Sequence, residues 1–142
     1  MPTNVDVVRR ALDAFNSGDL EAMLAMQDSE FEWHPAFGGA MLGASVYRGP
    51  AAFREYWRDV QDIWDHTFRF DPENFSDYGN TVVVVGRGRG RARGSAIDID
   101  QQFAMLFEVR RGKLVFGQTF ADPDQALEAA SADRVPRSDR PT

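Results

Sequence analysis

Few residues in this chain can carry chemistry, and the best placed is His34. It stands at the end of a short alternating segment, just before Pro35 and a glycine-rich stretch. An imidazole titrates near neutral pH, so a histidine at a strand end can move a proton. Glu32 shares the face of His34 by alternation, where it either orients the imidazole or faces water. Arg87, Arg89, Arg91 and Arg93 alternate with small residues, so all four point to one face of a strand. If that face is internal, Arg87 and Arg89 can hold an anionic ligand. If it is external, the four form a solvated ladder with acids such as Asp98 and Asp100. A slip of one residue in the hairpin reverses the answer. Asp122 precedes a proline and reads as a helix cap rather than an acid. With no cysteine and only two histidines, His34 and His66, the chain has hardly any ligands for zinc or iron, and no metal or cofactor is expected. Gly86-Arg87-Gly88-Arg89-Gly90 lies inside a strand region, so it is not a phosphate-binding loop.

The elements that position these residues follow from periodicity. Val5, Val8, Leu12 and Phe15 are spaced for one face of a helix over 4–16, which Gly18 stops. Asp19 caps a second short helix, Leu20–Met26. Glu30–His34 is a strand, with Phe31 and Trp33 on the face opposite to Glu32 and His34. Residues 35–49 are a loop. Gly49-Pro50 opens a third helix with a stripe of Phe53, Tyr56, Trp57, Val60, Ile63 and Trp64. Strands follow at Thr67–Phe75, Thr81–Arg93, Ala96–Val109 and Lys113–Ala121, and then a last helix over Pro123–Ala130. Residues 131–142 are polar and aperiodic and read as a disordered tail to a domain of residues 1–130. Helices followed by hairpin-linked strands argue an α+β fold, a curved antiparallel sheet wrapped around N-terminal helices. A twisted sheet curling round helices leaves a concave pocket.

Composition bounds the classes. A chain of 142 residues with 43% hydrophobic content forms one ordinary domain. Its formal net charge is −6, and its one basic cluster lacks interleaved aromatics, so nucleic acid is not the expected partner. The longest apolar run is Val82–Val85, too short for a membrane. No signal peptide is read at the N-terminus, and the lack of cysteine fits a cytoplasmic location.

Four segments resemble a known family. They are Asn16-Ser17-Gly18-Asp19-Leu20, Phe31-Glu32-Trp33-His34-Pro35, the segment from Tyr47-Arg48-Gly49-Pro50 through Trp57, and Gly112-Lys113-Leu114-Val115. In order and spacing they are similar to SnoaL-like proteins of the nuclear transport factor two superfamily, over about residues 4–130. The resemblance implies a conical fold, usually a homodimer, with a ligand pocket inside the cone. The family includes ketosteroid isomerases, epoxide hydrolases and polyketide cyclases, so fold alone does not give function.

The resemblance places His34 at the position of the isomerases' general base, and it is the expected catalytic residue. Loss of a general acid–base costs ~10²–10⁴-fold. The isomerases' oxyanion donors are matched here by Ala11 and Met105, which donate nothing, so a steroid isomerase mechanism is not expected. The epoxide hydrolases' carboxylate is matched by Thr119, which cannot act as a general acid. Correspondence at Met105 makes the face of Gln101, Phe103, Met105 and Phe107 concave, with Thr119 across from it. Phe37, Met41, Tyr47, Trp57 and Trp64 are expected walls, and Arg87 and Arg89 candidate ligand contacts. A homodimer is expected through the outer sheet face, with Ala104, Leu106, Leu114 and Phe116 supplying apolar area. The expected function is a small-molecule pocket. It is either a cofactor-free isomerase, cyclase or hydrolase for a small hydrophobic oxygenated compound, or a non-catalytic binding module or dimeric interaction protein.

Overall fold

The first helix begins where the sequence closes a capping box. In this computed structural model, which describes residues 3–35, 46–64, 67–92, 94 and 98–131, Thr3 Oγ1 accepts from Asp6 N at 3.0 Å. The Asp6 carboxylate in turn accepts from Thr3 N at 3.1 Å. Helix α1 (Asn4–Ser17) ends at Gly18, whose φ of 77° lies in the left-handed region. Helix α2 (Leu20–Ala25) is capped by Asp19. Strand β1 (Gln27–His34) starts three residues earlier than alternation indicated. A two-residue strand β2 (Tyr47–Arg48) leads into helix α3 (Gly49–Ile63), with Pro50 in its first turn.

Four strands follow: β3 (Arg69–Tyr78), β4 (Thr81–Arg91), β5 (Asp98–Arg110) and β6 (Lys113–Phe120). They pair antiparallel in sequence order, as expected. The surprise is β1, which joins β6 in parallel. The sheet is therefore mixed, six-stranded, curved and unclosed, in the order β2-β1-β6-β5-β4-β3. The parallel pair is possible because a long crossover, carrying β2, α3 and three strands, separates its members. The register is interrupted between Pro72 and Asn74 on β3 and between Glu108 and Val109 on β5. Such irregularities bend a sheet.

Helices α1 to α3 cover the concave face. Asn16 ties α1 to β3: its Nδ2 donates to Phe70 O at 2.7 Å, and its Oδ1 accepts from Phe70 N at 2.9 Å. The main core joins Val8, Leu12, Phe31, Trp33, Phe70, Phe103, Phe107 and Leu114. Helix α4 (Pro123–Ser131) lies on the convex face. It buries Ala126 and Ala130 against Val83, Ala104, Leu106 and Phe116. Those last three were expected to form an exposed dimerisation surface. They are covered within one chain, and Leu114 belongs to the inner core. The segment read as a tail lies outside the described residues beyond Ser131. Among the described residues, no helix is long and apolar enough to cross a membrane.

Candidate functional site

Strand β5 lays down the wall of an internal cavity of about 280 Å³. Its odd residues Ile99, Gln101, Phe103, Met105 and Phe107 all line that cavity, as does Thr119, paired with Met105 on β6. Depth increases along the strand. Gln101 is exposed and Ile99 half-buried, whereas Phe103 and Phe107 are 3% and 2% exposed. The mouth thus lies where Trp64 and Phe68 face Ile99, at the β4–β5 hairpin end. Helix α3 contributes Phe53, Tyr56, Val60 and Ile63, helix α1 Leu12 and Phe15, and strand β1 Phe31 and Trp33.

Neighbouring strands give way to these rings. Gly88 pairs with Gln101 on β5. A Cβ there would stand 2.3 Å from the Phe103 ring. A Cβ on Gly86 would stand 2.4 Å from the backbone oxygen of Asp71, and one on Gly117 2.8 Å from the Trp33 ring. Each approach is closer than a carbon atom tolerates, so the concave surface exists only with glycine at these positions.

The polar groups facing the cavity are few and uncharged: the Gln101 amide, the Thr119 and Tyr56 hydroxyls and the Trp33 indole. Burial pushes the Tyr56 hydroxyl up to about 12, an effect the neighbouring Trp33 indole partly offsets. Trp33 Nε1 is itself buried without a hydrogen-bond partner, so the two groups stand side by side without closing a bond. The rings meet edge-on at 5.9 Å, and Trp33 stacks on Phe107 at 6.1 Å.

Several expected site residues sit elsewhere. His34 is on the convex face, where alternation puts it once Trp33 faces inward. Its ring lies 4.9 Å from Phe116, and its Nε2 is 3.1 Å from Glu32. Glu32, 4% exposed, also accepts from Arg48 at 2.8 Å. Arg87 and Arg89 are likewise convex. Arg87 donates to Asp100 at 2.7 Å, Arg89 to Asp71 at 2.7 Å and Arg91 to Asp98 at 2.7 Å. The register opposes Arg89 to Asp100 and Arg91 to Asp98, which makes the outer ladder one of the two readings left open by the sequence. Hydrogen bonds from Arg91 and Arg87 hold the Asp98 and Asp100 carboxyls below their ordinary values. Tyr47 is buried behind the cavity wall against Tyr56, at 5.1 Å. Burial, and then the charges of Asp59 and Glu55, raise its hydroxyl pKa. Trp57 packs edge-on to Phe15 at 5.4 Å in the core. Its other side faces a separate, open hollow of about 460 Å³ with Arg54, Arg58 and Asp62, on the outside of the helices. Asp122 accepts from Asp124 N at 3.0 Å, the bond of a helix cap. Phe37 and Met41 lie outside the described residues.

Gln101, Phe103, Met105, Thr119 and Trp64 are thus brought together, and His34, Arg87, Arg89, Tyr47 and Trp57 are not. Sequence reasoning missed Trp33 and Tyr56 as cavity groups. The apolar alternation of Phe31 and Trp33 was the available signal for the first. Among the described residues, no three of His, Asp or Glu stand where they could share a metal ion.

Comparison with known proteins follows the geometry. The model of the SnoaL-like domain family matches residues 8–116. Among solved structures, an NTF2-like protein from Burkholderia thailandensis E264 superposes with a TM-score of 0.76 at 28% identity, covering 89% of this chain and 98% of its own. Bal32a, from a soil-derived mobile gene cassette, gives 0.72 at 25% identity, covering 85% and 91%. TerC, co-crystallised with polyporic acid, gives 0.75 at 21% identity, covering 90% and 98%. Among curated proteins, none matches the chain.

Proposed function

The chain belongs to the SnoaL-like domain family, and from that premise we propose that it binds a small hydrophobic, uncharged, oxygenated molecule inside the cone. One observation carries this reading. The described wall of the cavity is made of aromatic and aliphatic side chains with a few neutral polar groups, and the proton carriers considered for catalysis lie outside it. A wall of this kind favours apolar surface at about 25 cal/mol per Å² removed from water. It offers no described group that changes charge near neutral pH. His34 is separated from the cavity by the thickness of β1, so no step of a reaction in the cavity passes through it. The binding-module reading therefore leads over the isomerase, cyclase or hydrolase reading.

The test uses a neutral apolar fluorophore, N-phenyl-1-naphthylamine. The protein should take it up saturably, one per chain, with a blue-shifted emission. Met105→Trp should fill the cavity and abolish uptake while the far-ultraviolet circular dichroism stays that of a folded protein. Absence of saturable uptake by the unaltered protein would overturn the proposal.

A further inference from the structure

An indole nitrogen offers one hydrogen and accepts none. Trp33 is 6% exposed, and its Nε1 has no partner. Leaving a buried donor unsatisfied costs on the order of 1–3 kcal/mol, so native structures seldom do it without reason. Trp33 lines the cavity beside Tyr56, whose hydroxyl can donate as well. The stacking of Trp33 on Phe107 and the ring's close approach to Gly117 fix the indole in place. The polar end of the cavity is therefore a donor set preorganised before any ligand arrives.

We infer that Trp33 Nε1 and the Tyr56 hydroxyl form an acceptor-recognition site, selecting neutral ligands that carry a carbonyl oxygen on an aromatic or alicyclic body. This deepens the proposed function and rests on it. The orphaned group is an N–H, so the ligand atom that satisfies it is an acceptor. A carboxylate would also accept, but it would enter an apolar wall in which no described cation faces it, and burying it there is costly. The arginines that could compensate it are bound to Asp71, Asp98 and Asp100 on the other side of the sheet. Tyr56 stays protonated, and hence a donor, throughout the neutral range.

The experiment measures calorimetric affinity at pH 7 for three matched probes: 2-acetylnaphthalene, 2-ethylnaphthalene and 2-naphthoate. The ketone should bind ~3–10-fold more tightly than the hydrocarbon, the range of one or two net hydrogen bonds, and the carboxylate should be the weakest of the three. In Trp33→Phe the ketone preference should fall towards unity, with the hydrocarbon's affinity kept. Tyr56→Phe should reduce it in part, and it supplies the reading if Trp33→Phe does not fold. Equal affinity for ketone and hydrocarbon in the unaltered protein overturns the inference and leaves the binding function standing. So does a preference that survives the folded variants. Failure of all three probes to bind removes both.

Discussion

Gly88 and Arg89 are neighbours with opposite duties. A Cβ on Gly88 would fall 2.3 Å from the Phe103 ring, so Gly88→Ala should push that ring into the cavity and weaken uptake of N-phenyl-1-naphthylamine. The obstacle at Gly86 is the backbone oxygen of Asp71, 2.4 Å away, which cannot rotate aside. Gly86→Ala should cost about 1–3 kcal/mol, read from the urea midpoint, as overpacking does. Arg87→Ala and Arg89→Ala should leave probe affinity within about twofold, because exposed ion pairs contribute little. His34→Ala should also leave it unchanged, and a large loss of affinity there would contradict the placement of His34 on the convex face. At this scale the sequence held more than was read from it. Glycines at 86, 88 and 90 share one face of β4, and only a surface crowded by rings needs them there. That pattern turns the arginines outward without any knowledge of register.

Elements were more legible than the faces they present. The helices came from apolar spacing and caps, and the strands from alternation, with ends displaced by one to three residues. The parallel pairing of β1 with β6 was not legible, because no local pattern distinguishes a parallel neighbour from an antiparallel one. The error at His34 was one of face: position within the family favoured it, while the alternation of Phe31 and Trp33 already pointed the other way. Caps and ion pairs joining elements also set the response to acid. The Asp6 carboxyl is lowered below 3.8 by hydrogen bonds from the Thr3 backbone and side chain, and Asp98 and Asp100 are lowered by Arg91 and Arg87. Groups with depressed folded-state values bind protons more readily when unfolded. Their stabilisation is present in full above the unfolded value near 3.8 and is lost as pH falls through the lower folded values. The melting temperature should therefore drop on acidification below that range. The drop should be shallower in Asp98→Asn and at high salt, since these carboxyls are exposed. Thr3→Ala should remove about 1 kcal/mol of capping and move the Asp6 titration back up towards 3.8, visible by NMR.

On the scale of the molecule, the sheet is a partition with a different solution on each side. The concave side keeps a cavity, and the convex side is finished by α4 at one end and by the charged ladder at the other. A chain ending at Asp122 would lack α4 and uncover Val83, Ala104, Leu106 and Phe116. Light scattering should show that shortened chain associating at concentrations where the full chain's particle size stays constant. An unchanged size would mean that α4 is not what covers the face. The sheet does not close, however, and β3 ends it with ten residues whose outer backbone groups have no neighbouring strand. Such an edge invites growth by strand addition, the first step towards a fibril. Pro72 and the break in register that follows it occupy the middle of that edge. Pro72 has no N–H to give an incoming strand, the register shift breaks the ladder next to it, and Glu73 adds a charge that would repel its own copy. The kink in β3 thus also acts as a stop to polymerisation. Replacing Pro72 and Glu73 together by valine should let thioflavin T detect fibrils in solutions where the natural sequence stays clear.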